Sequence, residues 1–215
     1  RHPAAVRRAP RLRLPGPFAV LIVLFGLFAT GLGVENVTGT SVLPGLRSSG
    51  EKPPPRETPV LTASQPVGIT IPSLNVRAVV HNVGIAPDGT IAVPPLERAN
   101  EAGWYDQSRT PGELGPAVIV GHVDSRAGPA VFYQLNRMRP GDRVEVARQD
   151  RTVAVFEVSR IDRFSKSNIP VDQVYGDVDR PNLRLITCGG PWVGGQTGYA
   201  DNVIVFANLV DAKRS

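Results

Sequence analysis

From Val67 onward, apolar and polar residues alternate in short runs broken by Gly, Pro and Asp. A period of two sends successive side chains to opposite faces of an extended strand. The alternation predicts strands at 67–72, 77–85, 116–122, 142–148, 152–161, 182–188 and 202–210. "PDG" at Pro87–Gly89 and "RPGD" at Arg139–Asp142 read as turns, because Pro presets φ and Gly accepts positive φ. Only "PAVFYQLNRM", residues 129–138, has a weak helical pattern. There is no internal repeat, and a series of short strands predicts an all-β domain, a closed barrel or a sandwich.

The first third of the chain has a different pattern. Phe18–Val34 carries no charge and no polar face. As a helix rising ~1.5 Å per residue it would span ~26 Å, close to the thickness of a bilayer core. Arg7, Arg8, Arg11 and Arg13 precede it, so the positive-inside rule predicts a cytoplasmic N-terminus, one transmembrane helix and an extracytoplasmic remainder. The competing reading is a cleaved signal peptide, but the run is long for one and "TGT" near Gly39 makes a poor cleavage site. The chain does not begin with Met, so a fragment or a processed form is expected. Residues 35–66 are rich in Pro, Ser and Gly and lack an apolar period, which predicts an extended stalk. The expected organisation is a basic cytoplasmic tail at 1–17, an anchor at 18–34, a stalk at 35–66 and a folded domain at 67–211.

Charge then narrows the function. The net charge is +5, but residues 1–56 hold eight Lys/Arg against Glu35 and Glu51, leaving sixteen basic against seventeen acidic residues beyond. A domain without a basic excess is a poor candidate for nucleic acid. The sequence also has one cysteine, Cys188. Exported proteins usually pair their cysteines, and a lone one cannot pair within its chain. It is either an inert apolar filler or a reactive thiol.

The neighbourhood of Cys188 favours the reactive reading. "AVIVGHVDS" ends a β-branched run at His122, and "LRLITCGG" ends a similar run at Cys188. If these strands are neighbours, imidazole and thiol meet at one rim of the sheet. The imidazole then moves protons for a thiolate that attacks a carbonyl. His81 sits mid-strand and reads as structural. Asp124 and Ser125 could orient the imidazole or merely form a turn, and Trp104 and Tyr105 read as core or rim packing. Gly189–Tyr199, with five glycines and Trp192, reads as a mobile loop after the nucleophile or a flexible connector.

Cys188 in "LITC", His122 in "GHVDS", "GITIPSLNV", "GWY" at 103–105 and the last strand "NVIVFANL" resemble a sortase over residues 66–211, most nearly the actinobacterial class E/F type. The resemblance implies a closed eight-stranded β-barrel with short helices and a groove along the cysteine strand. It implies cysteine transpeptidation: Cys188 cleaves a C-terminal LPxTG-like sorting signal through an acyl-thioester, and a cell-wall or pilin amine resolves it. It implies His122 and Cys188 as catalytic residues, no cofactor and no metal. Surface proteins with sorting signals are the expected partners, met outside the membrane. Arg184, Ile186, Thr187 and Trp192 are candidate substrate contacts. Two positions depart from the family. Its last-strand arginine, which helps hold substrate and oxyanion, aligns with Asn202, a donor without charge. Arg184 stands where a threonine is common. Two other readings remain: an anchored, non-catalytic adhesion domain, in which His122 and Cys188 are unrelated, and an L,D-transpeptidase, which would need a Cys soon after the His.

Overall fold

The computed structural model describes residues 59–176, 178–195 and 197–214. The tail, the anchor and most of the stalk lie outside the described residues. Among those described, no helix is long and apolar enough to cross a membrane.

Ten strands follow in order: β1 Pro66–Ile71, β2 Val76–Val83, β3 Ala102–Tyr105, β4 Gly115–Val120, β5 Asp124–Ser125, β6 Gly128–Pro129, β7 Arg143–Arg148, β8 Thr152–Ser165, β9 Pro181–Gly194 and β10 Gly198–Arg214. Eight of them close a barrel in the order β1-β2-β3-β4-β9-β10-β8-β7, and β5 and β6 form a separate small hairpin. The β2–β3 and β4–β9 pairs are parallel, and the other barrel pairs are antiparallel. This is the expected closed eight-stranded barrel.

All seven predicted strands are present, with shifted ends. The eighth barrel strand, β3, was not predicted as a strand. Its sequence AGWY has no alternation, because both faces are buried under neighbours. The helical reading of 129–138 is not borne out: Leu135–Arg137 forms one 3-10 turn, and Phe132 and Leu135 are fully buried beneath it. A short helix, α1, Val171–Tyr175, occurs elsewhere. The expected loop after Cys188 is also different. β9 and β10 stay paired beyond the cysteine, through Gly189↔Asp201 and Trp192↔Tyr199 to Gly194↔Gly198. Glycines 190, 194, 195 and 198 take positive φ, which lets the ladder bend and turn.

Two apolar cores result. One fills the barrel, with Ile69, Ile71, Val144, Val146, Phe156, Leu183, Leu185 and Val205 among its members. The other lies on the outer face of β4, β9 and β10, where Val118, Val120, Ile186, Ile204 and Phe206 pack against Val174 of α1. β9 is thus buried on both faces, which explains its nearly continuous apolar run. The final residues of the segment read as stalk lie along the barrel: Leu61 N–H donates to the Gly112 carbonyl (2.8 Å) and Ser64 N–H to Thr110 Oγ1 (3.0 Å). The buried Arg148 guanidinium also donates to the Thr62 carbonyl.

Candidate active site

The site is set by the parallel pairing of β4 with β9. Val118 faces Arg184 and Val120 faces Ile186, and Gly121 N–H donates to the Ile186 carbonyl at 3.1 Å. His122 follows two residues after the end of β4 and lines the same cavity as Cys188. On the other side of β9, Cys188 is the direct partner of Asn202 on β10. Cys188 and Asn202 are neighbours on β9 and β10, and His122, just past the end of β4, lines with them one cavity of about 770 Å³.

Glycines make this packing possible. A Cβ at Gly121 would lie 2.6 Å from the Phe132 ring. At Gly190, φ is +75° and a Cβ would lie 2.2 Å from the Asp201 carboxylate. The "GH" and "CGG" sequences are thus steric requirements as well as motif letters.

His122 Nε2 lies 2.6 Å from the Pro94 carbonyl. A carbonyl only accepts, so Nε2 carries the proton of this bond and Nδ1 is the basic nitrogen of the neutral ring. Among the described residues no hydrogen bond joins His122 to Cys188. Cys188 is partly exposed.

The cavity walls are mostly apolar: Ile91 and Val93 on one side, Ile169, Val171 and Tyr175 on the other, and Val120 and Ile186 on the floor, with Asp88, Thr90 and Lys166 also in the lining. Burial raises the affinity of the Tyr175 phenol for its proton. Sequence reasoning missed both walls. The signals were present in "IAVPP", after the Pro87–Gly89 turn, and in "NIPVDQVY", where Ile169, Val171 and Val174 lie close enough to face the same way.

The other predicted residues separate. Ile186 lines the cavity floor. Thr187 is 4% exposed, and its buried hydroxyl has no hydrogen-bond partner among the described residues. Arg184 lines neither this cavity nor the second one beside Cys188. It is 4% exposed, 4.6 Å from the Phe206 ring centroid, with Arg160 on the same ring at 3.6 Å. Burial and the nearby Arg160 charge push its pKa down to about 10. Its hydrogen bonds go to Asn182 Oδ1 and the Leu183 carbonyl. Trp192 is 66% exposed and packs edge-on to Tyr199 at 5.1 Å, away from both cavities.

Asp124 accepts from the Tyr199 hydroxyl, not from His122, tying the β9–β10 hairpin to β5. That bond is the main reason the Tyr199 phenol holds its proton more tightly. Ser125 serves the turn, accepting from Ala127 N–H at 3.2 Å. Trp104 is buried and donates to the Arg109 carbonyl (3.1 Å), whereas Tyr105 reaches the cavity wall. His81 is paired with Glu101 at 2.6 Å on the far strand β2. Among the described residues no group of three or more His, Cys, Asp and Glu could hold a metal ion.

A thiol and an imidazole lining one largely apolar cavity at the end of a barrel are the elements of cysteine-dependent acyl transfer. Comparison with known proteins agrees. The sortase domain model matches residues 69–210, and the chain belongs to the sortase family. No curated protein sequence matches significantly. Among solved structures, Streptococcus pneumoniae sortase C is similar with a TM-score of 0.53 and 19% identity, over 68% of this chain and 67% of that one. Corynebacterium diphtheriae sortase A, a lid mutant, gives 0.53 and 22%, over 69% and 73%. Listeria monocytogenes sortase A gives 0.53 and 18%, over 70% and 90%. At these identities the structural likeness speaks for the fold.

Proposed function

We propose that this sortase is a membrane-anchored cysteine transpeptidase of the class E/F type, acting outside the cell on proteins with an LPxTG-like C-terminal sorting signal. The observation that carries the reading is the placement of His122, Cys188 and Asn202 on one apolar cavity. That cavity suits a short apolar peptide lying along β9, with its scissile carbonyl at Cys188.

The chemistry follows from the side chains. His122 takes the thiol proton, and the Cys188 thiolate attacks the scissile carbonyl carbon. Negative charge develops on the carbonyl oxygen. The Asn202 carboxamide has two N–H donors and stands beside the nucleophile in register. The tetrahedral adduct collapses, the C–N bond breaks, and His122 returns the proton to the leaving amine. The acyl-thioester is then opened by an incoming amine, which gives its proton to His122 as the C–S bond breaks. The thiolate or thiol is regenerated. A cell-wall peptide or a pilin lysine would supply that amine. The pneumococcal sortase C is described in terms of pilin substrate specificity, which makes a pilin acceptor a reasonable candidate here. Phe18–Val34 would hold the enzyme at the outer face of the membrane.

The test is incubation of the full chain with a library of C-terminal LPxTG-type peptides, reading cleaved bonds and the acyl-enzyme by mass spectrometry. A thioester adduct on Cys188 is expected, and Cys188→Ala should abolish adduct and cleavage together. Cleavage that survives in Cys188→Ala would remove the assignment. No adduct with any peptide would favour the adhesion-domain reading.

A further inference from the structure

The cavity that holds Cys188 and His122 is mostly apolar, yet acyl transfer creates a negative charge inside it. When a thiolate adds to a carbonyl, the π electrons move onto oxygen. Apolar walls cannot hydrogen-bond that oxyanion, and Asn202 offers an amide without charge. Among the described residues of the lining there is one Lys or Arg, Lys166. The β8–β10 register sets Phe164 opposite Asn202 and Ser165 opposite Asp201, and Lys166 is the next residue. A 3-10 turn, Lys166–Asn168, holds its backbone there, with the Ser165 hydroxyl accepting from Ser167 N–H at 3.4 Å. The side chain is half-buried. Its ammonium donates to the Thr197 carbonyl at 2.9 Å, a neutral partner. No ion pair joins it to a carboxylate of the described residues. An ammonium has three N–H donors, so Thr197 leaves two for a ligand. The carboxylate in the lining, Asp88, is engaged instead by the Thr90 N–H (3.0 Å) and hydroxyl (2.7 Å).

We propose that Lys166 is a further catalytic residue, the cation that stabilises the oxyanion formed during acyl transfer at Cys188. The inference rests on the transpeptidase reading above. The thiolate forms the C–S bond, and the carbonyl oxygen takes the electron pair. The Lys166 ammonium donates a hydrogen bond to that oxygen and keeps its proton, while the Asn202 amide donates a second. As the carbonyl re-forms, the C–N bond breaks and His122 protonates the leaving amine. The same contact serves the second half of the reaction, when an amine adds to the thioester carbon and the C–S bond breaks. A charge-assisted bond is roughly twice as strong as a neutral one, and mostly apolar surroundings strengthen it further. The long, flexible stem of a lysine suits a donor that meets the substrate from beyond the end of its own strand.

Two measurements on the full chain test this, with Lys166→Met and Lys166→Arg beside the unchanged protein. The first needs no sorting peptide. The benzyl thioester of acetylglycine acylates a thiol through a tetrahedral oxyanion, whereas iodoacetamide alkylates it by displacement at a saturated carbon, with no oxyanion. Both adducts form on the only cysteine and are followed by mass spectrometry. The ratio of acylation rate to alkylation rate should fall ~10²-fold in Lys166→Met, the scale of one lost oxyanion donor, and Lys166→Arg should recover most of it. An unchanged ratio would overturn the proposal. So would acylation and alkylation that fall together, because Lys166 would then act on the thiol itself. Lys166→Arg as slow as Lys166→Met would also overturn it, leaving the side chain as a brace for Thr197. The second measurement is turnover of sorting peptides. In Lys166→Met kcat should fall by a similar factor with KM nearly unchanged, since the charge is absent from the bound substrate. A rise in KM alone would count against the proposal. If no peptide forms an acyl-enzyme while the thioester ratio still falls, the transpeptidase reading fails and the role of Lys166 stands. Peptide turnover at equal rates in Lys166→Met and the unchanged protein would do the reverse.

Discussion

The two faces of β9 are both buried, yet they do different work. The inner face, Leu183 and Leu185, is enclosed by the barrel on every side and is fully buried. The outer face, Arg184, Ile186 and Cys188, is covered by the segment running from Phe164 to Tyr175 and by residues such as Val83, Ile91 and Tyr105. A barrel interior has a volume set by its strands, so side chains must fill it to close packing. A covered outer face is closed by a separate segment, which can touch at some points and stand off at others. It packs near Phe206, and it stands off over Ile186 and Cys188, where the apolar cavity remains. Stability should therefore be concentrated on one face and chemistry on the other.

Substitutions can break or sharpen that contrast. The largest effect is the complete loss of turnover in Cys188→Ala described above, with the melting temperature nearly unchanged because the thiol is partly exposed. Next is Leu185→Ala, which should destabilise the fold by about 2–5 kcal/mol in denaturant titrations, since a closed interior relaxes poorly around a lost side chain. Ile186→Ala, on the cavity floor, should cost clearly less. Equal losses at the two positions would mean that the outer cover is packed as tightly as the barrel. His122→Ala should lower turnover of sorting peptides by ~10²-fold or more, the scale of a positioned acid–base group, without a matching loss of stability. A folded variant at normal rate would leave His122 as a ligand of Pro94 only.

Asn202→Ala should follow, at up to ~10²-fold in rate if its amide supplies one oxyanion donor. Asn202→Asp should be slower still, because it sets a negative charge where the oxyanion forms. Identical rates for the three proteins would move the donor to another strand. The smallest effect is expected at Arg184. Its guanidinium is buried without a carboxylate partner among the described residues, so Arg184→Met exchanges a costly desolvated charge for apolar packing against Phe206. Stability should change by no more than ~1 kcal/mol, or rise, and turnover should hold. A large loss of turnover at unchanged stability would bring Arg184 back to the substrate.

The sequence by itself determined seven of the eight barrel strands and the face their residues occupy. Alternation in "NLRLITC" and "NVIVFANLV" is a local property, set by the two-residue period of an extended chain. It also marked His122 and Cys188, since each ends a β-branched run at a glycine, and the run ends became the barrel rim. Partners are another matter. That β4 lies parallel to β9, and that the unalternating Ala102–Tyr105 bridges β2 and β4, depends on contacts between residues far apart in the chain. Periodicity assigns a side chain to a face but does not say what covers that face. For this reason Arg184, on the face of Cys188, could be read as lining a groove, while the folded chain buries it against Phe206. The two cavities flanking Cys188 are also tertiary. One forms where the Phe164–Tyr175 segment stands off from the sheet, and the other where the barrel ends. Both are spaces between elements, and no residue's own pattern encodes a space.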